Sequence, residues 1–379
     1  MAWAPRRSDL EPRGPGDPAV EVGAPARVVV GRLAAMPSLW QPGQLLFVGF
    51  AGTAAPPPLV EKIAQGRVGG VILFARNIES PEQVLRLCRD LHAAAPADAP
   101  LLIAIDQEGG RVQRLRPPLA PNYPAGSALG ALYRHSASDG LRASWLMSRL
   151  HAFDLRRYGI TADCLPVLDV PVEGAHDVIG NRAYGKDPET VAAMGRAAAD
   201  GLLAGGVLPV IKHIPGHGRA AADTHFSLPV VDTPLDELRR HDFAPFAALK
   251  DIAMAMTAHV VYAAIDADNP ATTSRPVVED IIRGEIGFDG LLMSDDVSMK
   301  ALSGDFAART DAIFAAGCDV VLHCNGLMEE MKVVAGRTPA LAGRALERAD
   351  RALEPLDGGD GANEQALRDE FAGYFEAVA

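Results

Sequence analysis

Four strings of this sequence carry ionisable side chains in arrangements that do chemistry. The densest is Lys212-His-Ile-Pro-Gly-His-Gly218, with Asp223-Thr-His225 following on the same stretch. An aspartate two residues before a histidine can accept a hydrogen bond from the imidazole and fix its tautomer. That makes His225 a candidate proton shuttle with Asp223 as its partner. Pro215, Gly216 and Gly218 force a tight turn just before this pair. A second string, Ser294-Asp-Asp296, ends an apolar run. A carboxylate there can act as the nucleophile that retaining sugar hydrolysis requires. The residues alone do not separate Asp295 from Asp296: one would point inward and the other cap the segment that follows. The third string runs from Asp106 to Arg114 and the fourth, Ile179-Gly-Asn-Arg-Ala-Tyr184, carries Arg182. Asp106 can accept two sugar hydroxyls, and Arg114 and Arg182 can each donate several hydrogen bonds. Lys212, neutralised by Asp106 or another carboxylate, could hold a hydroxyl too.

Each string also has a structural explanation. A loop histidine commonly caps a turn, and His213 and His217 could simply satisfy loop backbone groups. Glu108 and Arg111 are spaced for an ion pair of their own. His213, His217, Asp223 and His225 are the ligand types that hold zinc. The spacing lacks the HExxH pattern, however, and Lys212 beside the cluster would repel a cation, so no metal and no organic cofactor is expected.

Something must bring these strings together. From residue 44 onward, short apolar runs alternate with helix-length stretches. The runs are Leu45–Phe50, Gly70–Phe74, Leu101–Ile105, Ile160–Leu168, Val207–Ile211, Ala253–His259, Leu291–Ser294 and Asp319–His323. They are rich in Val, Ile and Leu and apolar throughout rather than alternating, which marks strands buried on both faces. Between them, Pro81–Ala94, Pro188–Ala204, Pro234–Lys250 and Arg275–Gly284 read as helices, with Ser80, Asp187 and Thr233 as caps before an N1 proline. Eight strands alternating with helices predict an α/β fold, a single (β/α)8 TIM-type barrel over residues 41–355 with no second domain. A doubly wound open sheet is the alternative, weakened by the lack of any GxGxxG or P-loop pattern. In a barrel the charged strand ends, including His259, converge on the one face where active sites sit.

The 379 residues are 48% hydrophobic and 22% charged, with a net charge of −12, enough chain for one large core and a poor match to nucleic acid or an anionic membrane. No apolar run approaches the roughly 18 residues of a membrane span. The four cysteines, Cys88, Cys164, Cys318 and Cys324, form no CxxC pair and are expected to be reduced thiols, mostly buried. Residues 1–40, with prolines at 5, 12, 15, 18 and 25, read as a disordered leader or an over-called start, Met36 being an alternative start. Residues 356–379 read as a C-terminal tail or helix. No apolar h-region follows Arg6 and Arg7, so the cytoplasm is the expected compartment, and a monomer the expected state.

Taken together, the strings identify a resemblance. Leu73-Phe-Ala-Arg-Asn77, Asp106-Gln-Glu-Gly-Gly-Arg-Val-Gln-Arg114, Ile179-Gly-Asn-Arg-Ala-Tyr-Gly-Lys-Asp-Pro188, Lys212-His-Ile-Pro-Gly-His-Gly218 with Asp223-Thr-His225, Met256-Thr-Ala-His259 and Ser294-Asp-Asp296 occur in this order across roughly residues 44–330. The chain resembles glycoside hydrolase family 3, and within it the NagZ-type β-N-acetylglucosaminidases (β-hexosaminidases). The resemblance implies a retaining, two-step hydrolysis with Asp295 as nucleophile, His225 as acid/base and Asp223 as its partner. It implies that Asp106, Arg114, Arg182, Lys212 and His213 bind the terminal sugar. The substrate it implies is the N-acetylglucosaminyl–anhydromuramyl unit, or its peptides, released in cell-wall recycling. Ile214 stands where the family usually has Phe, and Thr224 where it usually has Ser; both changes leave the roles intact. An imidazole base does not repel an incoming anion as a carboxylate would, so transfer to phosphate is an alternative to hydrolysis, and a non-catalytic sugar-binding barrel is another.

Overall fold

The computed structural model describes residues 46–97, 99–220 and 228–376. The proline-rich residues 1–40, with Met36, and the Asp223–His225 pair lie outside the described residues. Eight strands form the centre: β1 (Leu46–Val48), β2 (Gly70–Leu73), β3 (Leu102–Ile105), β4 (Ala162–Asp163), β5 (Leu208–Ile214), β6 (Met254–Thr257), β7 (Leu291–Asp296) and β8 (Val320–His323). Each pairs in parallel with its neighbours in sequence, and β8 returns to β1 with Leu46 opposite Val321, so the sheet closes into a barrel. All eight expected runs become barrel strands.

Side-chain alternation explains why those runs are apolar throughout. Phe47, Ile72, Leu102, Ala104, Val210, Met256, Met293 and Leu322 point inward and fill the barrel. Val48, Val71, Ile103, Ile105, Ile211, Leu292 and Val321 point outward beneath the helices. Both faces are buried, as a barrel requires. Gly70 is needed because a Cβ there would lie 2.5 Å from the Phe47 ring.

The helices follow the expected capping chemistry with one exception. Helix α1 spans Pro57–Ala64 and α2 spans Pro81–Ala94, where Ser80 accepts from the Gln83 N–H at 3.2 Å. After β3 come a small hairpin (Gln107–Gly109 with Val112–Gln113), α3 (Gly126–His135) and α4 (Ala137–Arg157). Helix α5 (Pro188–Ala204) is capped by Asp187, which accepts from the Thr190 N–H at 2.8 Å. The expected continuous helix Pro234–Lys250 is instead two, α6 (Leu235–His241) and α7 (Ala244–Ala248), and the Thr233 cap does not form. Pro245 lacks an N–H and crowds the preceding turn, so the chain breaks at Asp242–Phe243. The expected Arg275–Gly284 helix is present as a π-helix, Pro276–Glu285. Helices α8 (Phe306–Ala316) and α9 (Met328–Arg337) precede α10 (Gly343–Leu353), whose Ala349, Ala352 and Leu353 join the barrel-interior cluster from its N-terminal end. Helix α11 (Glu364–Glu376) lies on α4, with Arg368 bonded to Asp154 at 2.5 Å. The four cysteines are free and buried. Among the described residues no helix is long and apolar enough to cross a membrane.

Candidate active site

The charged strand ends do converge. A cavity of about 210 Å³ opens at the C-terminal mouth of the barrel, lined by Asp106, Arg114, Arg182, Lys212, His213 and Asp295 among others. One side is an ionic lattice. Lys212, near the end of β5, donates from Nζ to Asp106 at 2.9 Å and forms an ion pair with Glu108 at 2.6 Å. Arg114 donates to the other oxygen of Asp106 at 2.9 Å. Arg182 grips Glu108 with two bonds of 2.7 and 2.8 Å. Burial alone would push both carboxyls up. The Lys212 ammonium and Arg114 guanidinium instead hold Asp106 well below the usual carboxylate range. Arg182 and Lys212 bring Glu108 down to about 2. Burial would likewise discharge Lys212, but its two carboxylates raise it above an ordinary lysine. The lattice is therefore fully charged at neutral pH, with fixed donors and acceptors of the kind that recognise hydroxyls. The Phe74 ring, just beyond β2, adds an apolar wall and lies 5.5 Å below the Arg114 guanidinium.

The two adjacent aspartates at the end of β7 differ sharply. Asp296 spends its carboxylate on protein: Oδ1 accepts from the N–H of Ser298 at 2.9 Å and of Cys324 at 3.0 Å, and Oδ2 accepts from Ser298 Oγ at 2.6 Å. Among the described residues Asp295 accepts a single hydrogen bond, from the Asp296 N–H to Oδ1 at 2.7 Å. Burial would raise Asp295, but His259, His213, that N–H and His217 together hold it below its ordinary value. Asp295 is thus an ionised carboxylate with spare acceptor capacity at the cavity. His259 braces the strand end, its ring bonding Thr272 Oγ1 at 2.7 Å and the Asp296 carbonyl at 3.0 Å.

The turn after β5 is organised by Asp169. This carboxylate accepts the backbone N–H of His213 at 3.2 Å and of His217 at 2.7 Å, and it meets His213 Nδ1 at 2.7 Å. The loop backbone groups are thus satisfied by an aspartate from the neighbouring loop rather than by the histidine rings. Burial pushes His217 down to about 4, so its imidazole is neutral.

The structure gathers Asp106, Arg114, Arg182, Lys212, His213 and Asp295 around one cavity, while His225 and Asp223 lie outside the described residues. The expected Glu108–Arg111 ion pair does not form. Glu108 is buried in the hairpin and serves Arg182 and Lys212, whereas Gly109 (φ +90°) and Gly110 (φ +58°) turn the chain so that Arg111 reaches Asp177 at 3.4 Å. Among the described residues no group of three or more His, Cys, Asp or Glu side chains could hold a metal ion. Sequence reasoning passed over Glu108 as a site residue and missed Asp169. Asp169 carries the same signal as Asp106, a carboxylate directly after an apolar run, here Ile160–Leu168.

Comparison with known proteins fits this geometry. Residues 41–348 match the glycosyl hydrolase family 3 N-terminal domain. The β-hexosaminidase of Bordetella avium (strain 197N) is 41% identical over 293 residues, 76% of this chain and 82% of that protein. The crystal structure of NagZ from Neisseria gonorrhoeae in complex with N-trifluoroacetyl-D-glucosamine superposes with a TM-score of 0.77 at 32% identity, over 89% of this chain and 97% of that one. A family 3 β-N-acetylglucosaminidase from Paenibacillus sp. str. FPU-7 gives 0.76 at 31% identity, over 89% and 67% respectively. The chain belongs to glycosyl hydrolase family 3 and is a single-barrel glycosidase related to the β-hexosaminidases.

Proposed function

We propose that this enzyme is a retaining, exo-acting β-N-acetylhexosaminidase that removes terminal non-reducing β-N-acetylglucosamine through a covalent sugar ester on Asp295. The observation that carries the reading is the contrast at the end of β7. Asp296 has its carboxylate bound to Ser298 and Cys324, whereas Asp295 is ionised, beside the cavity, with one hydrogen bond among the described residues. Asp106, Arg114, Arg182, Lys212 and His213 hold the sugar hydroxyls. In the first step an Asp295 oxygen attacks the anomeric carbon. The glycosidic bond breaks, and the leaving oxygen takes a proton from His225, which Asp223 orients. In the second step neutral His225 takes a proton from water, whose oxygen displaces Asp295 and restores the β configuration. Relatives named β-hexosaminidase, and a neighbour that binds an N-acylated glucosamine, support N-acetylglucosamine as the sugar. The substrate of this reading is the N-acetylglucosaminyl–anhydromuramyl unit of cell-wall recycling, met by a cytoplasmic monomer.

Paired variants test it. Asp295→Ala abolishes release of nitrophenol from nitrophenyl β-N-acetylglucosaminide, and near-wild-type turnover would overturn the assignment. His225→Ala loses far less on this good leaving group than on an alkyl glycoside, where protonation matters more. Equal losses on both contradict His225 as the acid.

A further inference from the structure

Asp169 touches neither the cavity nor the sugar-holding lattice, yet three of its contacts reach the functional turn. It is wholly buried just past β4. One oxygen accepts the N–H groups of His213 and His217, and the other meets His213 Nδ1 at 2.7 Å. Burial would raise this carboxyl, but His213 first and His217 next bring it down to about 2. An ionised carboxylate only accepts, so His213 Nδ1 carries the proton. The opposite edge of the ring lines the cavity, and no hydrogen bond from the described residues reaches Nε2. With Nδ1 engaged by Asp169, Nε2 is the ring nitrogen left for the cavity.

The surrounding backbone is stitched in the same register. The Leu168 N–H donates to Lys212 O at 2.7 Å, Val172 N–H to Gly218 O at 3.3 Å and His176 N–H to Ala220 O at 2.9 Å. A Cβ on Gly218 would lie 2.0 Å from the Val170 carbonyl oxygen, so the two segments are in close backbone contact. Asp169 lies within this seam beside His213, whose side chain lines the cavity from the end of β5.

We propose that Asp169 is a positioning residue for glycosyl transfer: it holds the His213 ring by Nδ1 so that Nε2 is left to meet a sugar hydroxyl, and its other oxygen fixes the backbone at His213 and His217. The inference rests on the glycosidase function proposed above. Asp169→Asn keeps the shape and the acceptor for the two N–H groups. Its amide nitrogen, however, cannot accept from His213 Nδ1, so the ring loses the contact that fixes its proton and its orientation.

The test is a double-mutant cycle read by kcat and KM on nitrophenyl β-N-acetylglucosaminide. Asp169→Asn lowers kcat/KM roughly 10–100-fold, a loss of the size seen when the partner that orients a metal-binding imidazole is removed. In a His213→Ala background the same change costs no more than about twofold, because Asp169 acts through His213. A purely structural role for Asp169 predicts the opposite, a loss that persists in that background, and this result overturns the proposal, as does wild-type kcat/KM in Asp169→Asn. Where Asp169→Asn fails to fold, His213→Gln and His213→Asn decide. Gln reaches the Nε2 position and retains more activity than Asn, which reaches only Nδ1; the reverse order overturns the proposal. A wild-type enzyme that leaves the substrate uncleaved defeats the function itself, whereas wild-type cleavage with either contrary result defeats this inference alone.

Discussion

The two mouths of the barrel use the same ingredients for different ends. At the N-terminal mouth, Asp289 receives Arg344, Arg348 and Arg351 at 2.6, 2.9 and 3.1 Å, and Asp319 receives Arg283 and Arg348 at 2.6 and 2.9 Å. Three of those arginines sit on α10, which they fasten across the opening while Leu353 and its neighbours close the apolar interior. At the C-terminal mouth, Asp106 and Glu108 receive Lys212, Arg114 and Arg182 at similar distances, but the ions surround a cavity instead of sealing one. Density of charge therefore does not mark the functional end. What marks it is charge fixed beside open space, with a carboxylate such as Asp295 left underused.

Burial sets how strongly each end should respond to a broken pair. Lys212 is 2% exposed and serves two carboxylates, whereas Asp289 is 47% exposed and faces solvent. Lys212→Ala leaves Asp106 and Glu108 buried without their shared cation. It should cost about 3–5 kcal/mol in denaturant unfolding and lower kcat/KM by at least about 100-fold. A variant of wild-type stability would break the comparison.

Glu108→Gln is the milder change at the same end. It should cost about 1.5–3 kcal/mol, raise KM and flatten acid unfolding. The Glu108 carboxyl is held at about 2, below the roughly 4.3 of an unfolded glutamate. Its ion pairs thus stabilise the fold fully above the unfolded value, and the contribution is lost as pH falls from there toward 2. An unaltered slope between pH 4.5 and 2 (roughly those limits) in Glu108→Gln contradicts this.

Asp289→Asn at the other mouth should have the smallest effect. The loss should stay below about 1 kcal/mol, shrink as salt is added and leave kcat/KM unchanged. A drop in kcat/KM would mean that the closed end communicates with the open one.

The barrel was legible because it rests on a local pattern: runs apolar on both faces have few alternatives to a parallel sheet enclosed by helices. Where the pattern was overridden, one cause lay inside the run and another far from it in sequence. Pro234–Lys250 has helical periodicity, but Pro245 breaks it and Asp242 turns inward to bond Arg219 at 2.7 Å. Strand-end placement gathered six of the eight expected site residues at one cavity, and the remaining two, Asp223 and His225, lie outside the described residues. The pairings were not legible, because proximity in sequence is a poor guide to partners across a barrel. Glu108 lies three residues from Arg111 yet bonds Arg182 and Lys212, 74 and 104 residues away. The contrast between Asp295 and Asp296 was also hidden, since it depends on Cys324 and Ser298 meeting one carboxylate and not its neighbour.

The central claim, a covalent sugar ester on Asp295, is tested most directly by trapping it. The enzyme is reacted with a 5-fluoro N-acetylglucosaminyl fluoride, whose good leaving group speeds formation of the ester while the ring fluorine slows its hydrolysis, and the digested protein is read by mass spectrometry. One added glycosyl unit on the peptide containing Leu291–Asp296, assigned by fragmentation to Asp295 and absent from Asp295→Asn, is the predicted result. Label on another residue, or no label on an enzyme that still turns over substrate, would contradict it.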